Sequence, residues 1–219
     1  MPGWPRPWSA CSSATSGTED HVAARGRGLT ITAGVHRGRR LRVPPGVRPT
    51  TDRVRAAAFD ALQGPPPERV LDLYAGSGAF GIEALSRGAG YACFIERSRR
   101  AASAIRQNLD LLNLREQGEV VVGDARRLRL ARGAPFGLVF ADPPYGDDPW
   151  VALFDALETP GLLTNDALVV TETSSLFGAP LAPFGWRRLK ERRHGDTTFA
   201  VFVREVLPST ESPLNSPSL

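Results

Sequence analysis

The chain has 219 residues, of which 42% are hydrophobic and 23% charged, and a formal net charge of +4. That is enough for one domain with a full core plus an appendage, at the composition of an ordinary soluble protein. No apolar run approaches the roughly 18 residues that span a bilayer, which excludes a helical membrane protein. The two cysteines, Cys11 and Cys93, have neither metal spacing nor a disulfide framework. Cys93, inside "YACFIE", is expected as a small buried apolar group in a reducing cytoplasm.

In chain order, residues 1–28 are rich in Pro, Gly, Ser and Thr without apolar period, and they read as a disordered leader. Lacking a continuous apolar segment, they are no secretory signal. From Arg25 to Arg55 the chain carries nine arginines against one acid, Asp52. Arginine usage is high throughout, Lys190 being the sole lysine, but usage does not explain missing acids. The segment suits a phosphate-rich partner. Within it "LTITAG" and "RRLRVP" read as two short strands around a basic turn at His36-Arg37-Gly38. "TTDRVRAAAFDALQ" reads as a helix, with a Thr cap and apolar spacing at Val54, Ala58, Ala61 and Leu62. Residues 29–64 are thus expected to form an N-terminal basic hairpin and helix, an extension suited to a nucleic acid.

Residues 65–206 alternate strands and helices. "RVLDLY" precedes a helix from Ala79 to Arg87, and "YACFIE" one from Arg99 to Leu114. "EVVVG", "FGLVFA" and "ALVVTET" follow, with a helix from Pro149 to Leu157 before the last. Near-continuous apolar strands separated by helices predict a parallel sheet covered on both faces. "WRRLKERRHGDTTFAVFVRE" leaves no room for a crossover helix and predicts an antiparallel hairpin, with Arg192, Arg193 and His194 at its turn. The expected fold is α/β and Rossmann-like, a mostly parallel seven-stranded sheet ending in that hairpin. Residues 207–219 read as a disordered tail.

Several features carry chemistry. Gly76, Gly78 and Gly81 lie between a strand and a helix start, where glycine permits a tight turn and close ligand approach. That pattern alone suits NAD, FAD or S-adenosylmethionine. Asp72, four residues before the first glycine, would repel a pyrophosphate and suits a cationic ligand, which favours S-adenosylmethionine. Glu96 closes the second strand of the unit, where an acid can hold both ribose hydroxyls. Asp124, in "VVGDAR", ends the third, positioned for an adenine amino group or as a helix N-cap. The last feature is "FADPPYG". Proline fixes φ and removes a donor, and it pushes the preceding residue into extended conformation. Asp142-Pro143-Pro144-Tyr145 is therefore a stiff corner just past a strand end.

Taken together, "LDLYAGSGAFGIEALSRGA", "FIERS", "GDA" and "FADPPYG" resemble a class I S-adenosylmethionine-dependent methyltransferase. Joined to "AGVHRGRRLRVP" and "RPTTDRVRAAAFDAL", they resemble the RsmD family of bacterial 16S rRNA guanine-N2 methyltransferases over residues 29 to 204. The resemblance implies methyl transfer from S-adenosylmethionine, yielding S-adenosylhomocysteine, with 16S rRNA or the small ribosomal subunit as partner. A sulfonium is already a strong electrophile, so no metal is expected; no membrane partner is expected either, and the chain is expected as a monomer. The resemblance implies a cofactor site of Asp72, Tyr74, Ala75, Gly76, Ser77, Gly78, Glu96, Arg97, Asp124, Ala125 and Asp142. Asp142 and the Pro143 carbonyl would accept both amino hydrogens of the base, with Pro144 stiffening the turn and Tyr145 stacking on the ring. His36, Arg37, Arg39, Arg40 and Arg48 are candidates for phosphates. Thr50, Thr51 and Arg53 are candidates for the pocket mouth, and Glu172 for the base edge. Where the family has a second acid or serine after that glutamate, this chain has Thr173 and Ser174.

Other functions stay open from the sequence. The amine could be adenine N6 in DNA or RNA, against which "RPTTDRVR" weighs. A dinucleotide-dependent oxidoreductase is disfavoured by Asp72 and "DPPY". A catalytically silent RNA-binding assembly protein would tolerate loss of Asp142.

Overall fold

The computed structural model describes residues 29–47, 50–62, 64–128, 132–144 and 148–205. The expected leader (1–28) and tail (207–219) lie outside the described residues, as do Arg48 and Tyr145.

The two basic-segment strands are shorter than their apolar pattern suggests. β1 (Leu29–Thr30) pairs antiparallel with β2 (Arg40–Leu41). Ile31 still bonds across to Arg39, but beyond it the amides of Thr32 and Ala33 donate to the Glu83 carboxylate instead of a strand. The turn between them holds His36 and Arg37 and closes through Gly38, at φ +83°. α1 (Asp52–Ala61) starts where its cap predicts, with the Thr51 side chain accepting from the Val54 amide. Its buried face is Val54, Arg55, Ala58 and Phe59, whereas Ala61 and Leu62 are half-buried.

Beyond the extension the chain alternates as its pattern requires. β3 (Arg69–Leu73) leads to α2 (Ala79–Ser86), β4 (Tyr91–Glu96) to α3 (Arg99–Leu111), and β5 (Gly118–Val122) to β6 (Phe136–Ala141). α4 (Trp150–Leu157) then precedes β7 (Leu163–Ser174), β8 (Trp186–His194) and β9 (Thr197–Arg204). α3 stops short of the expected Leu114 because Asn113 adopts a left-handed φ of 57°, which cannot continue a helix. Strand order is β5-β4-β3-β6-β7-β9-β8, parallel from β5 through β7, with β9 antiparallel to both neighbours. This is the expected seven-stranded sheet with its closing hairpin. The turn of that hairpin is Gly195-Asp196, and Arg192, Arg193 and His194 belong to β8 rather than to the turn.

Side chains alternate across the sheet, so each strand feeds two cores. Along β3, Val70 packs with α1, α2, α3 and the N-terminal hairpin, while Leu71 and Leu73 pack on the α4 side. On the first face Phe59, Phe80 and Phe140 form a ring cluster, Phe80 stacking on Phe140 at 4.3 Å. On the second, Phe154 meets Trp186 and Phe202 edge-on at 5.2 and 5.4 Å. Each fully buried phenyl contributes roughly 1.5–3 kcal/mol. Cys93 is buried in the second core, its thiol pushed up to about 12 by that burial. Among the described residues, no helix is long and apolar enough to cross a membrane.

Candidate active site

The C-terminal ends of the parallel strands open onto one cleft of about 490 Å³. Open α/β sheets bind ligands there, where the strand order reverses. In this sheet the reversal falls between β3, which continues to β4, and β6, its neighbour on the other side.

The loop after β3 is built from unusual backbone. Tyr74, Gly76 and Gly78 take φ of 56°, 55° and 77°. For Tyr74 that value is strained, and such strain gathers where a loop must present its backbone to a ligand. Gly81 serves packing: a Cβ there would lie 2.3 Å from the Phe94 ring, so α2 approaches β4 only because the side chain is missing. Tyr74, Ala75, Gly76 and Ser77 line the cleft; Gly78 does not, acting as the left-handed residue that opens α2.

Two acids lock this loop. Asp72 Oδ2 accepts from the Gly81 amide at 2.9 Å, tying the strand end to α2. Burial pushes its carboxyl up to about 8, opposed by that amide and reinforced by the nearby Asp142 and Glu96. Glu96 accepts from the Gly76 amide at 2.8 Å through Oε2 and from the Ser98 amide at 2.7 Å through Oε1. It therefore clasps the glycine turn to the start of α3, whose N-cap is Ser98. Arg97, beside it, is exposed on the cleft wall.

Asp124 and Ala125 close the far end. A turn rather than a helix begins directly after Asp124, so the residue caps no helix among the described residues. Its carboxylate takes the Arg126 amide and both ends of the Arg126 guanidinium at 2.9–3.1 Å, which hold its pKa down to about 2.

Asp142, Pro143 and Pro144 emerge from β6 and line the same cleft, opposite the glycine turn across the β3/β6 pair. Glu172, buried on the adjacent strand β7, also faces it. From the N-terminal extension come Thr50 and Thr51, and the Thr50 hydroxyl donates to Asp142 Oδ2 at 2.8 Å. His36, Arg37, Arg39, Arg40 and Arg53 do not line the cleft. The four arginines are exposed, and Arg39 donates to the Leu111 carbonyl at the end of α3.

Sequence reasoning missed what anchors the extension. Arg55 and Glu83 are both fully buried and bond at 3.4 Å. Glu83 also accepts from the Thr32 hydroxyl and from Arg87, at 2.6 and 3.0 Å. The available signal was an acid alone in the apolar helix "AFGIEAL". Val47 and Thr197 also line the cleft, with no motif to announce them, and Phe80 joins them from within the glycine motif.

Fold, strained glycine turn, acid-closed second strand and Asp-Pro-Pro corner on one cleft define a class I methyltransferase. Comparison with known proteins narrows this further. Residues 29–203 match the family described as Conserved hypothetical protein 95. Ribosomal RNA small subunit methyltransferase D of Escherichia coli (strain K12) is 37% identical over 181 residues, 81% of this chain and 91% of the relative. The protein of that name from Haemophilus influenzae is 35% identical over 80% of this chain and 93% of its own length. The solved structure named "Putative methyltransferase yhhF" from Escherichia coli superposes with TM-score 0.71 at 36% identity, covering 81% of this chain and 98% of that one. A ribosomal protein L11 methylase from Lactobacillus delbrueckii, at 16% identity and TM-score 0.60 over 78% of this chain and 88% of that one, shares the fold alone. The chain belongs to the family of the small subunit methyltransferase D proteins.

Proposed function

We propose that this protein transfers a methyl group from S-adenosylmethionine to the exocyclic N2 of a guanine in 16S rRNA. The observation that carries the reading is the shared cleft: the Asp142-Pro143-Pro144 corner opens onto the same space as the glycine turn, Asp72 and Glu96. The names of the relatives supply the rRNA.

The cleft suits a cationic ligand. Asp72, Glu96, Asp142 and Glu172 line it, and the mutual repulsion of the first three contributes to the raised Asp72 carboxyl. A positive group beside Asp72 relieves that repulsion, whereas a pyrophosphate would add to it. Bound there, S-adenosylmethionine supplies a methyl on a sulfonium, an electrophile that needs no further activation.

Asp72 is assigned to the ligand's ammonium side and Glu96 to the ribose hydroxyls. Tyr74, Ala75, Gly76 and Ser77 form the backbone wall, and Arg97, Asp124 and Ala125 the adenine end. Asp142 and the Pro143 carbonyl act on the nucleophile. A guanine N2 lone pair is delocalised into the ring and is poorly nucleophilic. Accepting a hydrogen bond from each amino hydrogen favours rotation and pyramidalisation, which localises the lone pair for in-line attack. The N–C bond forms as the S–C bond breaks, and the proton released from nitrogen passes to Asp142. Preorganised hydrogen-bond groups aimed at developing charge act on the scale of several kcal/mol: loss of one oxyanion-hole donor costs roughly 3–4 kcal/mol. Tyr145 is assigned to stacking on the base, and Glu172 to its edge. Extruding the base from a helix costs a few kcal/mol and is cheapest in a loop. The exposed arginines of the extension, with His36 and Arg48, are assigned to the flanking phosphates.

The test is transfer of a labelled methyl group by the purified protein to 16S rRNA, naked and in small subunits, from a strain lacking its own relative. Nucleoside analysis should find N2-methylguanosine. Label in N6-methyladenosine, or none in either substrate, overturns the assignment.

A further inference from the structure

The extension reaches the catalytic corner through one side chain. Thr50 donates its hydroxyl to Asp142 Oδ2 at 2.8 Å, across 92 residues of sequence. The carbonyl of the same residue accepts from Arg55 Nη1 at 3.3 Å. Arg55 is fully buried and so cannot swing away to solvent. Its guanidinium is held further by Asp52 Oδ1 at 3.0 Å, by the Thr30 carbonyl and by Glu83 Oε2 at 3.4 Å. Glu83 sits in α2, the helix that follows the glycine turn. One hydrogen-bonded network, buried at Arg55 and Glu83, thus links the helix after the glycine turn, the extension and Asp142.

An aspartate carboxylate rotates over a broad torsional range, because its terminal torsion joins sp³ and sp² carbons. Its plane is set by its partners. A threonine is a good partner, since its branched Cβ restricts χ1 and aims the hydroxyl. We infer that Thr50 is a positioning residue for methyl transfer: it sets the plane in which Asp142 receives the amine, and Arg55 holds Thr50 there. The inference rests on the methyl-transfer reading. It makes the extension part of the active site as well as a holder of RNA.

The experiment compares wild type, Thr50→Val and Thr50→Ser as full-length chains, with S-adenosylmethionine and small subunits from the strain described above. Valine keeps the shape and removes the donor; serine keeps the donor. Expected for Thr50→Val is a kcat lower by roughly 10- to 100-fold, the scale of a misplaced catalytic group. Affinities for S-adenosylmethionine and for the particle should stay within threefold, and the thermal midpoint should be unchanged. Thr50→Ser should restore kcat to within a few-fold of wild type. A Thr50→Val kcat within threefold of wild type overturns the inference. So does a loss confined to particle affinity, or serine performing as badly as valine. A wild type inactive on every substrate overturns the methyl-transfer reading itself, and this inference falls with it.

Discussion

Asp72 offers a test that needs no substrate. Its carboxyl is raised from 3.8 to about 8, chiefly by burial. A group whose folded pKa lies above its unfolded value favours the folded state fully below the unfolded pKa. That contribution is lost as pH rises toward the folded one. Between those limits the folded protein holds one proton that the unfolded chain has released. Stability from this group therefore falls by about 1.4 kcal/mol per pH unit. From pH 5 to pH 7 the loss amounts to roughly 3 kcal/mol, a large part of the 5–15 kcal/mol or so that a domain has. Asp72→Asn keeps the shape and an acceptor for the Gly81 amide, and it cannot ionise. Urea denaturation of both proteins at pH 5, 6 and 7 isolates the one proton as a difference of differences. The variant should gain on the wild type by about 1.4 kcal/mol at each step. A difference that stays constant across the three pH values would refute the burial argument.

The same carboxyl couples to the ligand. A cationic ligand beside Asp72 favours the ionised form, so binding of S-adenosylmethionine at pH 7 should release a proton. Calorimetry in buffers of different ionisation heat should find close to one released per ligand in the wild type and none in Asp72→Asn. Gly81→Ala should destabilise the protein by about 1–3 kcal/mol as overpacking, seen as a lower thermal midpoint. Its new Cβ meets the buried Phe94 ring at 2.3 Å, which outweighs the roughly 1 kcal/mol of helix propensity that alanine offers.

Much of this was legible in the sequence because it is local. Strands of the parallel sheet announce themselves as apolar runs, and β3 through α2 carries its ligand turn in consecutive residues. The Asp-Pro-Pro corner is likewise a matter of three neighbouring residues, so its stiffness could be read before its surroundings were known. What escaped was non-local or polar. Arg55 and Glu83 lie 28 residues apart, and each alone looks like a surface charge on a helix. The early end of β1 follows from Glu83 capturing the Thr32 and Ala33 amides, which no pattern in "LTITAG" reveals. Glu96 was legible as a strand-end acid, but not as a clasp whose two oxygens each accept a backbone amide. The β8 turn was misread because three basic residues look solvated; on the edge strand of the sheet Arg192 and Arg193 are exposed while still paired to β9, and His194 is half-buried against Phe199.

The central claim is that Asp142 prepares a guanine amine for methylation. It is tested most directly by mass spectrometry of 16S rRNA nucleosides from a strain lacking its own relative, complemented with wild type, Asp142→Ala or Asp142→Asn at matched protein levels. Wild type should restore one N2-methylguanosine per 16S rRNA. Alanine, with no acceptor, should leave it missing, and asparagine, which keeps one carbonyl oxygen, should restore part of it. Full modification by Asp142→Ala would contradict the account.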